Sequence, residues 1–210
     1  LLGSHVICTD DTIMPMLSPG NGKTRQARMW VYVGDEHNPY NLFDFTLSRS
    51  RDGPARFLAS YKQTLLADAY GGYDGVVVSS GITRAGCWAH ARRKFVDAEK
   101  AHPTIAHQAV TLIGRLYAVE HEAQARTRAQ TTEDIVAWHA DRLSLRRRHS
   151  GPILAELREK LVAWKDQLLP KHPMAEAVNY ALNQWNELNV FVGDGAVPIE
   201  VREPLRVARL

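Results

Sequence analysis

The spacing of apolar residues changes once along this chain, and that change limits the folds it can adopt. Short β-rich runs bounded by Gly, Pro, Asn and Asp fill the first part, at residues 5–9, 28–33, 40–47, 64–67 and 82–88. Pro54 begins a helix among them that extends to about residue 61. Helical spacing follows, at residues 89–101, 104–128, 131–147, 152–168 and 173–191. Because strands and helices are segregated along the chain, the sequence predicts an α+β fold with a helical insertion.

Composition excludes several classes of protein. Of the 210 residues, 45% are hydrophobic and 23% are charged, as in a soluble globular chain. No apolar run reaches the roughly 18 residues of a bilayer span, so we expect no membrane partner. Two cysteines are too few for a disulfide framework, which favours a reducing, cytoplasmic location. The net charge of +3 is compatible with a nucleic-acid partner, and the initial Leu1 indicates a piece of a longer protein.

Two aspartates directly follow short apolar runs of the predicted sheet. Asp10 comes after residues 5–9, and Asp68 comes after residues 64–67. If these strands are neighbours, both carboxylates emerge at one edge of the sheet, where their mutual repulsion favours a divalent cation. The alternative is that both residues only terminate strands, because Asp is common in turns. The pattern by itself leaves both interpretations open.

Several longer strings resemble one known family, and they occur in that family's order. They are residues 9–12 (TDDT), 19–24 (PGNGKT), 30–33 (WVYV), 66–73 (LADAYGGY), 86–95 (GCWAHARRKF) and 177–185 (AVNYALNQW). On these strings the chain resembles the central catalytic domain of DDE-type transposases of the insertion-sequence sixty-six family. The resemblance extends from about residue 5 to about residue 199.

The resemblance implies a fold and a reaction. The fold is a ribonuclease H-like mixed sheet with a large helical insertion before the final acidic segment. Its parts are a catalytic core at 1–101, the insertion at 102–192 and the acidic segment at 193–210. The reaction is metal-dependent DNA cleavage and strand transfer at transposon ends, with Mg²⁺ or Mn²⁺ as cofactor. The implied partner is double-stranded DNA of the transposon ends and the target, bound by a homo-oligomer.

The resemblance also assigns roles to carboxylates, and the third one departs from the family's pattern. Asp10 and Asp68 are implied to be catalytic metal ligands, with a downstream Glu as the third. The family usually has Asp-Asn-Asn and then Glu-Arg, whereas residues 198–206 read PIEVREPLR. We choose Glu203 because it lies nearest the expected place, with Glu200 as the alternative.

Proline after the chosen glutamate restricts where the third ligand can lie. Pro204 restricts the backbone of Glu203 and favours a helix that begins after it. We therefore expect Glu203 to lie nearer to Asp10 and Asp68 than Glu200 does, but farther than a ready metal ligand. Two alternatives to an active transposase follow: a catalytically degenerate DNA-binding remnant, and a nuclease of the same fold that only cuts.

Basic residues form two clusters in predicted helices. Arg92, Arg93 and Lys94 share one helical turn, and with His90 they are candidates for contacts with DNA phosphates. The alternative is an ordinary solvated helix face. For the second cluster, which comprises Arg142, residues 146–148 and His149, we favour a charged, exposed helix end.

Other catalytic motifs are not found in the sequence. Cys87 and His90 lack a second ligand pair for zinc, and Cys87 is interpreted as a packing residue. There is no glycine-rich phosphate loop, nucleophile elbow or H-E-x-x-H motif. ATP use and serine or zinc hydrolysis therefore have no support.

Overall fold

The computed structural model describes residues 1–18, 20, 22–126 and 131–201 of the chain. Tertiary contacts group them into two compact units, with Leu1–Arg84 in the first and Ala85–Glu200 in the second. Among the helices of the described residues, none combines the length and the hydropathy needed to cross a membrane.

A five-stranded mixed sheet is the main element of the α+β fold. Its strands are β1 (Val6–Met16), β2 (Arg25–Val33), β3 (Asn41–Thr46), β4 (Thr64–Ala67) and β5 (Thr83–Gly86). Their order across the sheet is β3-β2-β1-β4-β5. The first three strands pair antiparallel, whereas β4 pairs parallel with β1. The predicted strands are therefore all present, and β4 has the predicted bounds.

The first strand is longer than the sequence predicts. The apolar run at residues 5–9 predicts a strand that ends before Asp10, whereas β1 continues to Met16. The antiparallel register with β2 is unbroken over this extension, so ladder hydrogen bonds keep the polar residues in the strand. The chain reverses only beyond it, where Gly20 and Gly22 adopt positive φ angles.

Short helices of the first unit pack on one face of the sheet. They are α1 (Asp52–Phe57), a 3₁₀ turn (Gly71–Tyr73) and α2 (Asp74–Ser80). The sequence predicts α1 with a later start and a later end, and it does not predict α2, whose run of valines is not a helical pattern. Gly81 ends α2 in the left-handed conformation. Both helices contribute residues to the core of this unit or to its border. The core contains Ile7, Trp30, Tyr32, Leu58, Leu65, Tyr73 and Val76.

Helices make up the second unit after its first residues. They are α3 (Trp88–Asp97), α4 (Pro103–Ala125), α5 (Thr132–Leu145), a π-helical turn (Arg146–Ser150), α6 (Gly151–Gln167), α7 (Pro173–Asn183), α8 (Trp185–Leu188) and α9 (Val190–Gly193). Between residues 104 and 191 the described residues contain no strand, as predicted. The helix predicted at 173–191 is instead broken at Gln184 and Asn189 into three.

We predict that Leu65→Ala destabilises the protein by about 2–5 kcal/mol, because the substitution leaves a cavity in the core. Leu65 is fully buried, whereas Leu47 is 57% exposed and provides the matched control. Leu47→Ala should change the free energy of unfolding by less than about 0.5 kcal/mol. Chemical denaturation measures both variants. Equal effects would contradict the assigned core.

Candidate active site

The first unit brings Asp10 and Asp68 together. Strands β1 and β4 are parallel neighbours, with Cys8 opposite Leu66. The two aspartates each come two residues later, Asp10 within β1 and Asp68 directly after β4. Side chains two residues apart share a face of the sheet. Each aspartate is half-buried and offers a carboxylate oxygen within 4.8 Å of the other's. The two carboxylates therefore lie on one face of the sheet, and Asp10 does not terminate β1, which continues to Met16.

Local hydrogen bonds fix the direction of both carboxylates. Asp10 accepts a bond at Oδ1 from the peptide N–H of Asp11, at 2.8 Å. Asp68 accepts one at Oδ1 from the peptide N–H of Tyr70, at 3.0 Å, which is an Asx turn. Arg84 stabilises the same turn, because its Nη2 donates to the carbonyl of Asp68 at 2.5 Å and to that of Tyr70 at 3.3 Å. The carboxylates are thus oriented before any ligand binds.

Asp11 is a second acidic residue of β1, and its role differs from that of Asp10. Its side chain is only 2% exposed and accepts hydrogen bonds from two arginines. Arg28 donates from Nη1 at 3.0 Å, and Arg49 donates from Nε at 2.9 Å and from Nη2 at 2.7 Å. These charge-assisted hydrogen bonds compensate the negative charge of Asp11 inside the unit. The sequence contains the Asp10-Asp11 pair, but nothing in it indicates the two arginines.

Arg49 links Asp11 to the candidate site. Its Nη2 also donates to Oδ2 of Asp68 at 3.2 Å, and its guanidinium lies 4.1 Å from the centre of the Tyr70 ring. Burial by itself would lower the pKa of the guanidinium, but the hydrogen bond and charge of Asp11, together with Asp68, raise the pKa overall. Arg49 therefore remains a permanent cation beside these carboxylates.

Tyr73 is the aromatic residue beneath this edge of the sheet. Its hydroxyl lies 3.5 Å from the Oγ1 of Thr9, and its ring packs edge-on against Tyr70. Burial raises the pKa of Tyr73 well above its ordinary value, and the nearby charge of Asp68 acts in the same direction. Tyr73 therefore stays protonated and adds no further negative charge to the site.

The predicted DNA-contacting residues lie in the second unit, on α3. Arg92, Arg93 and Lys94 are exposed, while His90 is half-buried. The buried face of the same helix comprises Trp88, Ala91 and Phe95. The four residues are thus presented by one well-packed helix, which is compatible with DNA contact and with a solvated face.

The second basic cluster is not the exposed helix end that its sequence indicates. Arg142 and Arg146 are only 6% and 0% exposed. Both donate hydrogen bonds to the carboxylate of Glu120 on α4. Burial would raise the pKa of Glu120, but Arg146 and Arg142 lower it overall. The remaining residues of the cluster are exposed as predicted: Arg147, Arg148 and His149. Sequence spacing gave no sign of a partner on another helix.

The buried arginines anchor the segment at residues 191–195, which precedes both candidates for a third carboxylate. Nη1 of Arg146 donates to the carbonyls of Phe191 and Asp194 at 2.6 and 2.8 Å, and Nη1 of Arg142 donates to that of Gly195 at 3.3 Å. A Cβ atom at Gly195 would lie 1.9 Å from a backbone oxygen of α5, so this approach requires glycine.

Of the two candidates for the third carboxylate, the structure describes only Glu200. The carboxylate of Glu200 accepts a hydrogen bond from the hydroxyl of Tyr117 at 2.6 Å. Burial and this bond together raise the pKa of Tyr117. Glu203 lies outside the described residues, so its predicted distances stay predictions.

Comparisons with known proteins identify the family of this chain. The family model described as "Transposase IS66 family" matches residues 1–201, and the chain belongs to that family. Three relatives from Sinorhizobium fredii, each named an uncharacterized protein, are y4jD (30% identity), y4qI (31%) and y4hP (26%). The matches include 92%, 92% and 94% of this chain but 38%, 36% and 38% of the relatives, so the chain spans under two fifths of their length. No solved structure matches it significantly.

We predict that Glu120→Gln destabilises the protein by about 3–5 kcal/mol, because two buried arginines lose their counter-charge. Glu156, which pairs with Arg115 at the surface and is 43% exposed, provides the control. Glu156→Gln should cost less than about 1 kcal/mol. Chemical denaturation at neutral pH measures both variants.

The pH dependence of stability tests the same charge. The lowered pKa of Glu120 means that its contribution is fully present above its ordinary value of 4.5 and is lost as the pH falls through the lowered pKa. The difference in stability between the wild type and Glu120→Gln should therefore shrink in acid. A constant difference would contradict the ionised state of Glu120.

Proposed function

We propose that this chain is the catalytic domain of a DDE-type DNA transposase, which cleaves DNA at transposon ends and transfers the strand to target DNA in a metal-dependent reaction. Membership of the transposase family supports this proposal. The observation that carries it is the pair of oriented carboxylates, Asp10 and Asp68, on neighbouring parallel strands. A role as strand terminators does not account for the pair, because β1 continues past Asp10 to Met16.

The proposal includes a ribonuclease H-like fold. Its support is a mixed sheet in which three antiparallel strands precede a strand that returns parallel to β1. We keep the division into a core at 1–101, a helical insertion at 102–192 and an acidic segment at 193–210 as part of this proposal.

The donor atoms of the pair suit Mg²⁺ or Mn²⁺. Both cations prefer oxygen ligands. The carboxylate oxygens of Asp10 and Asp68 lie within 4.8 Å of each other, so these two residues could hold one cation between them. Bound divalent cations would activate the attacking oxygen and stabilise the leaving oxygen of an in-line phosphoryl transfer.

The residues of the chain supply orientation and charge in this scheme. Asp10 and Asp68 hold the ligand oxygens in place, since each carboxylate is already fixed by a peptide N–H. Arg84 keeps the turn after β4 in its observed conformation. Glu203 remains our choice for the third carboxylate, with Glu200 as the alternative.

The proposed partner is double-stranded DNA, bound by a homo-oligomer. Arg92, Arg93 and Lys94 supply exposed positive charge on α3, and His90 lies on the same helix. Cations on a rigid helix are suited to phosphate contacts, which position DNA without reading its sequence.

We predict that Asp10→Asn and Asp68→Asn each reduce Mg²⁺-dependent cleavage of a transposon-end duplex by about 100-fold or more, because several kcal/mol of charge stabilisation are lost. Both variants should also weaken Mn²⁺ binding to the purified chain. Asp52→Asn is the control, since Asp52 is an exposed carboxylate of the same unit. It should leave both measurements unchanged.

The products distinguish the proposal from its alternatives. Strand-transfer products support a transposase, whereas nicks without strand transfer indicate a nuclease. DNA binding without cleavage indicates a degenerate remnant. Cleavage that survives Glu203→Ala would show that another residue is the third ligand.

We predict that replacing Arg92 and Arg93 together with Ala weakens DNA binding and lowers the salt dependence of binding by about two phosphate contacts. Titrations over a range of salt concentrations give the slope. The matched control is the double alanine substitution of Arg147 and Arg148, which are equally exposed. An unchanged slope for the α3 variant would return that helix face to an ordinary solvated role.

A further inference from the structure

Arg49 bridges a structural carboxylate and a candidate metal ligand. Two of its hydrogen bonds go to Oδ1 of Asp11, at 2.9 and 2.7 Å, and one goes to Oδ2 of Asp68, at 3.2 Å. The carboxylate of Asp68 is therefore engaged at both oxygens, because its Oδ1 accepts from the peptide N–H of Tyr70. A divalent cation on Asp68 would have to share or replace one of these bonds.

The place of Arg49 is fixed by a closed set of contacts. Its guanidinium lies over the ring of Tyr70, and the hydroxyl of Tyr70 donates to the backbone carbonyl of Arg49. Gly72 leaves room for this ring, since a Cβ atom there would lie 2.0 Å from Cε1 of Tyr70. Arg49 is thus held by a hydrogen bond to its backbone carbonyl, by the ring of Tyr70 against its guanidinium, and by the carboxylates of Asp11 and Asp68.

We infer that Arg49 is a resident counter-cation of the acidic edge, which orients Asp68 when no metal is bound and competes with the divalent cation for Oδ2 of Asp68. This inference rests on the proposed function, which makes Asp68 a metal ligand. It makes Arg49 a positioning residue that acts through Asp68.

The unequal bonds indicate how the competition proceeds. The bond of Arg49 to Asp68 is the longest of its three, and its two bonds to Asp11 do not depend on it. A cation at Oδ2 of Asp68 would therefore weaken or replace this one hydrogen bond and leave the guanidinium attached to Asp11. The positive charge that remains nearby weakens metal affinity, because like charges repel across a half-buried site.

Arg28 provides a matched control within the same cluster. It donates to Oδ2 of Asp11 at 3.0 Å, and the structure gives it no bond to Asp68. Arg28→Gln and Arg49→Gln each remove one positive charge from Asp11. They differ in that only Arg49→Gln removes the hydrogen bond to Oδ2 of Asp68.

The test is the affinity of the purified chain for Mn²⁺, measured by titration calorimetry. Removal of one charge next to the site should tighten Mn²⁺ binding in Arg49→Gln by roughly tenfold. Arg28→Gln should change the affinity by no more than about twofold, because the charge it removes has no contact with Asp68. Weaker or unchanged binding in Arg49→Gln, or equal tightening in Arg28→Gln, would overturn the inference.

A second variant keeps the test decisive if Arg49→Gln does not fold. Arg49→Lys retains the positive charge but has no fork that can reach both carboxylates at once. It should bind Mn²⁺ more tightly than the wild type, by less than roughly tenfold because the charge is retained, and it should lower the thermal stability of the metal-free protein. An affinity equal to that of the wild type would count against competition at Asp68.

The failure of this inference differs from failure of the proposed function. If the wild type binds Mn²⁺ and loses it in Asp10→Asn, but Arg49→Gln binds with wild-type affinity, only the inference is wrong. If neither the wild type nor Arg49→Gln binds Mn²⁺, both are wrong. Binding that appears only in Arg49→Gln would support the inference in its strongest form.

Discussion

The parallel pairing of β1 with β4 is the constraint on which the candidate site depends. It brings the carboxylates of Asp10 and Asp68 within 4.8 Å of each other, with Asp11 next along the chain. Like charges at this distance raise the free energy of the folded state unless they are compensated. Arg49 and Arg28 supply positive charge, and peptide N–H groups supply oriented donors. The two arginines therefore compensate part of the negative charge of the three carboxylates in the absence of a metal.

Arginine performs the same physical task in both units. Arg84 donates to the carbonyls of Asp68 and Tyr70 in the turn after β4, and Arg146 donates to two carbonyls around α9. Irregular segments lack the ladder partners that satisfy backbone groups in strands and helices. In each arginine one terminal nitrogen, which carries two N–H donors, donates to both carbonyls. The turn that carries Asp68 and the segment before Glu200 are both held in this way.

The sequence predicts those features that depend on local pattern. The short apolar run of β4 has the predicted bounds, and the position of Asp68 follows from it. The sequence does not predict features that depend on partners far away along the chain. Asp11 and Arg49 are 38 residues apart, and no periodicity connects them. Arg146 looks like a solvated helix end because its partner, Glu120, lies on another helix. The extension of β1 past Asp10 likewise depends on its pairing with β2.

The segment at residues 194–199 is closely packed: Gly195 fits against α5, the carboxylate of Asp194 accepts from the peptide N–H of Ala196, and Ile199 is buried. The buried charges that anchor it are fully paired around Glu120. Such packing loses stability quickly when its residues change, because each member is buried and specific. Substitution of Glu120, Arg142 or Arg146 should therefore loosen the segment at residues 194–199, because these buried charges hold its backbone.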